Sequence, residues 1–168
     1  MASPAGIFDR VLAQVGKQVV RCVERHGEIL VDERSIVRCA PCPDCRSWSR
    51  RRHASYTRRL AERPVLDKRI EFRIEIHRFK CSTIGCPRST FSKDIRGLAG
   101  RHQRRTRSHT RALNALGYAL GGAAAARLAT ELGLRTSADT VIRQLRRSAE
   151  IQRERRPRIV GIDDWAIA

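Results

Sequence analysis

No apolar run in this sequence approaches the ~20 residues needed to span a bilayer, which argues against a membrane-spanning helix. The opening Met1-Ala2-Ser3-Pro4-Ala5-Gly6 lacks the basic start and continuous apolar core of a signal peptide. Cytoplasmic placement is therefore expected. There the six cysteines would be reduced thiols or metal ligands rather than disulfides. No Cys/His/Asn signature is present, which argues against a catalytic thiol. Internal repeats are absent, and Ala123 to Ala126 is the one low-complexity stretch. Acidic residues are scarce: 17 against 35 lysines and arginines, for a net charge of +18. A surface so one-sided repels itself until a polyanion neutralises it; nucleic acid is the usual partner and an anionic membrane the other candidate.

What is present divides into four stretches. Ile7, Phe8, Val11, Leu12 and Val15 recur at helical spacing. Two β-branched runs, Gln18 to Glu24 and Glu28 to Asp32, flank Arg25-His26-Gly27 and read as a hairpin. Within the cysteine-bearing segment, Ile70, Phe72, Ile74 and Ile76 alternate with Glu71, Arg73, Glu75 and His77, the clearest strand in the chain. A shorter strand is expected from Tyr56 to Leu60, with Pro64 and Asp67 in the connection. From Arg101 the texture turns helical: Leu113, Leu116 and Leu120 form a stripe opposite Arg104, Arg107 and Arg111, and Gly121-Gly122 interrupts it. Ala123 to Leu132 is a second helix ended by Gly133, and Ser137 caps a third. The expected organisation is an α+β fold: a helix and hairpin over residues 1–38, a zinc-ribbon-like finger over 39–95, a helix-turn-helix over 101–149, and a linker with one strand over 150–168.

The cysteines carry the most specific signal. Cys42-Pro43-Asp44-Cys45 is a CxxC pair and Cys81 to Cys86 a C-x4-C pair. Zinc wants four soft ligands in a tetrahedron, and two tight turns presenting two thiolates each meet that demand when a β-hairpin brings them together. So polar a stretch has little core, and the metal would supply much of its folding free energy. Cys39-Ala40-Pro41-Cys42 is a competing CxxC; Cys42 and Cys45 are preferred because Pro43-Asp44 makes a knuckle turn. His53 and His77 are substitute ligand candidates but read as surface side chains, and Cys22 as a small core residue.

The helix-turn-helix layout of Ala123 to Arg147 selects candidates for DNA contact. In this motif the second helix enters the major groove and its N-terminal half meets base edges. Asp139, Thr140, Arg143 and Gln144 are thus base-contact candidates, and Arg146 and Arg147 reach phosphates. Arg50, Arg51 and Arg52, after the first knuckle, and Arg104 and Arg107, leading into the first long helix, are further phosphate contacts. Trp48, set among arginines, is expected to pack against the knuckle, with stacking on a base as the alternative. The plainer alternative is a helical bundle with a solvated basic face. Finally, Ile159 to Ile162 followed by Asp163-Asp164 reads as a buried strand ending in carboxylates.

These pieces, in this order, resemble the ISL-three family of bacterial insertion-sequence transposases. Cys42-Pro43-Asp44-Cys45 and Arg78-Phe79-Lys80-Cys81 to Cys86, with Pro87, Thr90 and Phe91, look like its zinc finger. The Arg101 to Arg147 helices look like its helix-turn-helix, and Val160-Gly161-Ile162-Asp163-Asp164-Trp165-Ala166 like the opening of its RNase H-like DDE domain. The resemblance implies binding to terminal inverted repeats in double-stranded DNA, with structural zinc. It also implies Mg-dependent strand cleavage and joining in a full-length homologue, where Asp163 would be the first catalytic acid. The second Asp and the Glu of that site have no counterpart, so a truncated chain that binds DNA without cutting it is expected. A homodimer or a full-length transposase is the implied protein partner. Two other functions fit the composition: a free-standing zinc/helix-turn-helix regulator, which would dimerise on a palindrome, and an RNA-binding zinc protein. The latter is disfavoured because A-form RNA hides its major groove from a helix.

Overall fold

The computed structural model describes residues 4–152. The fold is mixed α and β. Helix α1 (Pro4–Ala13) lays its apolar face on the sheet, with Leu12 fully buried and the Phe8 ring edge-on to Phe72 at 5.7 Å. Strands β1 (Lys17–Arg25) and β2 (Glu28–Ser35) form the expected hairpin. Its two-residue turn, His26-Gly27, has positive φ at both positions, as a turn matching the twist of the strands requires. Ala40–Pro41 (β3) and Trp48–Ser49 (β4) make a miniature ladder around the first knuckle. A long hairpin follows, β5 (Arg52–Val65) and β6 (Lys68–Lys80), and then the short β7 (Thr90–Ser92).

The main sheet has the order β1-β2-β6-β5, with β7 also pairing with β6. The β2–β6 pairing is parallel, from Glu28 opposite Arg69 to Glu33 opposite Ile74. The segments expected as separate units, 1–38 and 39–95, therefore share one sheet. They also share one core: Leu12 and Val31 pack with Leu60, Ile70, Phe72, Ile74 and Ile76. The period-two pattern of β6 puts its four apolar side chains on that one face.

Strand β5 is much longer than the Tyr56–Leu60 expected, and Pro64 lies inside it rather than in the connection. A register irregularity between Glu62 and Val65 absorbs the proline, which has no N–H for the ladder. The turn is Leu66-Asp67, in left-handed backbone at both residues. His77, expected at the surface, is buried, with Nδ1 3.3 Å from the Val37 carbonyl and Nε2 3.3 Å from Glu75 Oε2.

Helix α2 (Arg107–Glu131) starts at the N-cap Thr106, whose hydroxyl accepts from the His109 N–H at 3.1 Å. Arg104 therefore precedes the helix instead of extending its basic face. Its carbonyl accepts from the Ala61 N–H at 3.0 Å, and the Thr106 N–H donates back to the Ala61 carbonyl at 3.0 Å. His109 Nδ1, 3.2 Å from the Glu62 carbonyl, completes the junction between β5 and the helices. α2 kinks at Gly121 (φ 72°, ψ −165°), where the sequence suggested an interruption. Leu120, expected on the apolar stripe, is 43% exposed at this kink, while Leu113 is buried.

The end of α2 is closed by paired backbone bonds. The Gly133 N–H donates to the Thr130 carbonyl at 2.9 Å and the Leu134 N–H to the Ala129 carbonyl at 2.7 Å, with Ala129 and Leu134 in apolar contact. This is the Schellman arrangement that a left-handed glycine (φ 73°) permits. Helix α3 (Ala138–Gln152) follows, its Thr140 N–H donating to Ser137 Oγ at 3.3 Å. α2 and α3 approach so closely that a Cβ on Gly117 would sit 2.8 Å from Val141 Cγ1. Among the described residues no helix is long and apolar enough to cross a membrane.

Candidate metal centre and nucleic-acid interface

The β5–β6 hairpin returns the chain to where it began, so the end of β6 delivers Cys81 beside the first knuckle. Phe79, on β6, and Phe91, on β7, stack at 6.0 Å and pack with Ala40 and Cys42 in a small second core. In the first knuckle the Cys42 N–H donates to the Ser47 carbonyl and the Arg46 N–H to the Cys42 carbonyl, each at 2.9 Å. In the second the Cys81 N–H donates to the Ser89 carbonyl at 2.9 Å and the Cys86 N–H to the Thr83 carbonyl at 3.3 Å. Arg88 Nε donates to Asp44 Oδ2 at 2.7 Å and ties one knuckle to the other.

The four thiol sulfurs of Cys42, Cys45, Cys81 and Cys86 lie within 4.8 Å of one another. Cys42 Sγ is 3.9 Å from Cys86 Sγ, and Cys45 Sγ is 3.6 Å from Cys81 Sγ. Both distances are far beyond the ~2.05 Å of a disulfide. A tetrahedron with metal–sulfur bonds of ~2.3 Å has edges of ~3.8 Å, so the two pairs already have the spacing of opposite edges. Cys39, the competing candidate, stands outside the cluster.

The thiols are electrostatically inequivalent. Hydrogen bonding from the Thr83 hydroxyl, 3.4 Å from Cys45 Sγ, and then from Ser47 lowers the Cys45 thiol to about 6. At Cys86 the Arg88 N–H favours the thiolate, but desolvation and the three neighbouring sulfurs outweigh it and push the group up to about 12. Four thiolates this close repel one another, and a divalent cation at their centre removes that repulsion. The donor set is all sulfur, which suits a soft or borderline metal. Thr83 and Ser47 drew no attention in the sequence, although each sits inside or beside a cysteine pair.

Exposure sorts the DNA-contact candidates. On α3, Asp139, Arg143, Arg146 and Arg147 are exposed and Gln144 is half-buried. The Thr140 hydroxyl is engaged by the cap, 2.9 Å from Ser137 Oγ. Arg104 and Arg107 are exposed, and Arg107 joins Arg111, Thr110, Asn114, Gln103 and Gly100 around a cleft of about 320 Å³. The Asn114 amide donates to Ser148 Oγ at 2.8 Å, which connects this wall of α2 to α3.

Arg50, Arg51 and Arg52 are exposed at the opposite end of β5 from the helical junction at Ala61, and Arg52 lies 3.4 Å from Glu75 Oε1. Nine residue-to-residue steps of strand lead from Arg52 to Ala61, about 30 Å of rise. The two basic regions are thus distinct surfaces. Trp48 is 68% exposed, so packing against the knuckle does not account for it. Asp163, Asp164 and the strand expected before them lie outside the described residues. No protein family, curated protein or solved structure matches the chain.

Proposed function

We propose that this chain binds double-stranded DNA as the N-terminal part of a DDE-type transposase, through a helix-turn-helix formed by the second half of α2 and α3. The zinc-ribbon-like unit, holding one structural zinc on Cys42, Cys45, Cys81 and Cys86, braces it. The observation that carries this reading is a charge imbalance. Residues 101–147 contain ten arginines and two acids, and among the described residues none of those arginines is in a salt bridge. The ion pairs of the described residues lie instead in the sheet, the knuckles and the turn after β7. A basic segment left without acidic partners has the charge that a phosphate backbone neutralises.

In this reading α3 enters the major groove, Arg143 reads a base edge, and Arg146, Arg147, Arg107 and Arg111 hold phosphates. In a whole transposase of this kind Asp163 would be the first acid of the catalytic domain, where Mg would be held. The described helices would supply binding to the element's ends. The terminal inverted repeats of the parent element are the target to test.

The test is quantitative binding of the zinc-loaded chain to a duplex carrying the inverted repeat and to scrambled duplex. Arg143→Ala should weaken binding to the repeat by about 1–3 kcal/mol and to scrambled DNA much less. Equal losses on both duplexes would make Arg143 a phosphate contact, and equal affinity of the parent chain for both would remove sequence recognition altogether.

A further inference from the structure

Trp48 is more exposed than either tyrosine among the described residues, although it sits on a short paired strand. Trp48 belongs to β4, held by pairing with Pro41 on β3. Its neighbour Ser49 is buried; the Ser49 hydroxyl donates to the Lys80 carbonyl at 2.6 Å and accepts from the Arg51 N–H at 3.2 Å. On the other side, the Ser47 carbonyl accepts from the Cys42 N–H. The indole's exposure is thus built into a pinned backbone.

The surroundings define what the ring can meet. Arg46, Arg50, Arg51 and Arg52 flank it, all exposed. The acid of the first knuckle, Asp44, is taken by Arg88, and Glu75 faces Arg52. A flat π-face inside a cationic rim fits a ligand that is itself flat and joined to phosphate. In duplex DNA the bases present only their edges to the grooves. An unpaired base offers a face, and stacking of such a base on an aromatic side chain is worth ~1–3 kcal/mol whatever its identity.

We propose that Trp48 is a stacking platform for an unpaired nucleotide, with Arg46, Arg50 and Arg51 on the adjoining phosphates. The first knuckle is then a single-strand site about 30 Å from the helices, at the far end of β5. The inference rests on the proposal that the chain binds nucleic acid, and not on the helix-turn-helix. Together the two surfaces select DNA in which duplex adjoins a few unpaired nucleotides.

The experiment uses the full metal-loaded chain with three probes: a ten-nucleotide oligothymidylate, an abasic strand of the same length and charge, and a blunt scrambled duplex. Trp48→Leu keeps an apolar side chain and removes the ring, and Trp48→Phe keeps a ring; metal content is measured for both. The parent chain should prefer oligothymidylate over the abasic strand. Trp48→Leu should lose about fivefold to a hundredfold on oligothymidylate alone, and Trp48→Phe should regain most of it. Oligothymidylate binding unchanged by Trp48→Leu at full metal content overturns the proposal. So does an equal loss on the duplex, which would make Trp48 a duplex contact. A ring-dependent preference in a chain that shows no Arg143-dependent duplex recognition upholds the platform and removes the helix-turn-helix reading.

Discussion

At the scale of single residues, the least expected feature is a pair of charges inside the first sheet. Lys17 and Glu33 are both buried, at 1% and 5% exposure, and both Glu33 carboxylate oxygens lack a hydrogen-bond partner. Lys17 Nζ donates to the Glu75 carbonyl. Desolvation dominates at both sites: it lowers Lys17 to about 8 against the attraction of Glu33 and Glu75, and raises Glu33 to about 8 against that of Lys17. The consequences for stability have opposite signs. Between about 4.5 and 8 the folded chain keeps a Glu33 proton that the unfolded chain has released, so stability falls as pH rises. Between about 8 and 10.5 the folded chain has released a Lys17 proton that the unfolded chain keeps, so stability recovers with pH. The pair's contribution has a minimum near pH 8. Denaturant titrations of the parent chain and Glu33→Gln across pH 5–10 should show the variant's gain smallest at pH 5, growing up to about pH 8 and holding above it; parallel curves would place Glu33 outside the pH dependence. Neither residue was legible beforehand, because a charge in an alternating strand reads as solvent-facing and only the tertiary cover of α1 and the sheet says otherwise.

At the scale of elements, local chemistry was readable and distant pairing was not. The β6 alternation, the His26-Gly27 turn, the Gly133 end of α2 and the Ser137 cap each depend on residues within a few positions, and each forms as expected. The parallel β2–β6 pairing joins segments about forty residues apart, and nothing in either strand specifies which edge it will find. The length of β5 was hidden for a related reason: residues 52–57 are exposed, so no alternation marks them. Gly121 illustrates what a local break does. Its backbone (φ 72°, ψ −165°) lies in a region open essentially to glycine, although a Cβ there would meet nothing within 4 Å. Gly121→Ala should therefore cost about 1–3 kcal/mol through backbone strain alone. The neighbouring Ala123→Gly, in regular helix, should cost about 1 kcal/mol or less. Thermal melts of both variants separate the cases, and a Gly121→Ala protein as stable as the parent would mean that α2 straightens at no cost.

At the scale of the whole molecule, the chain joins two cores of unequal strength. The larger one, Leu12, Val31, Leu60 and the apolar face of β6 with Ile95, Leu98 and Ala99, closes the sheet without the cysteines. The smaller one has four buried side chains, Ala40, Cys42, Phe79 and Phe91, with three of the four clustered thiols around them. Apolar burial on that scale supplies only a few kcal/mol, at ~1.5–3 for each large side chain, against backbone ordering of ~1–2 per residue. On the proposed reading the knuckles depend on a bound metal, and the sheet does not. The cysteine pairs were legible in the sequence as a ligand set; that β6 belongs to the other core was not, and it changes what metal loss should do. Chelation, or Cys42→Ser, should abolish zinc binding and release amide-exchange protection over residues 40–49 and 81–91. Ile70 to Ile76, hydrogen-bonded to β2 and β5 over the larger core, should stay protected. Loss of protection throughout 39–86 would mean that the hairpin is held by the metal rather than by the core beneath it. Full zinc retention in Cys42→Ser would remove Cys42 from the ligand set.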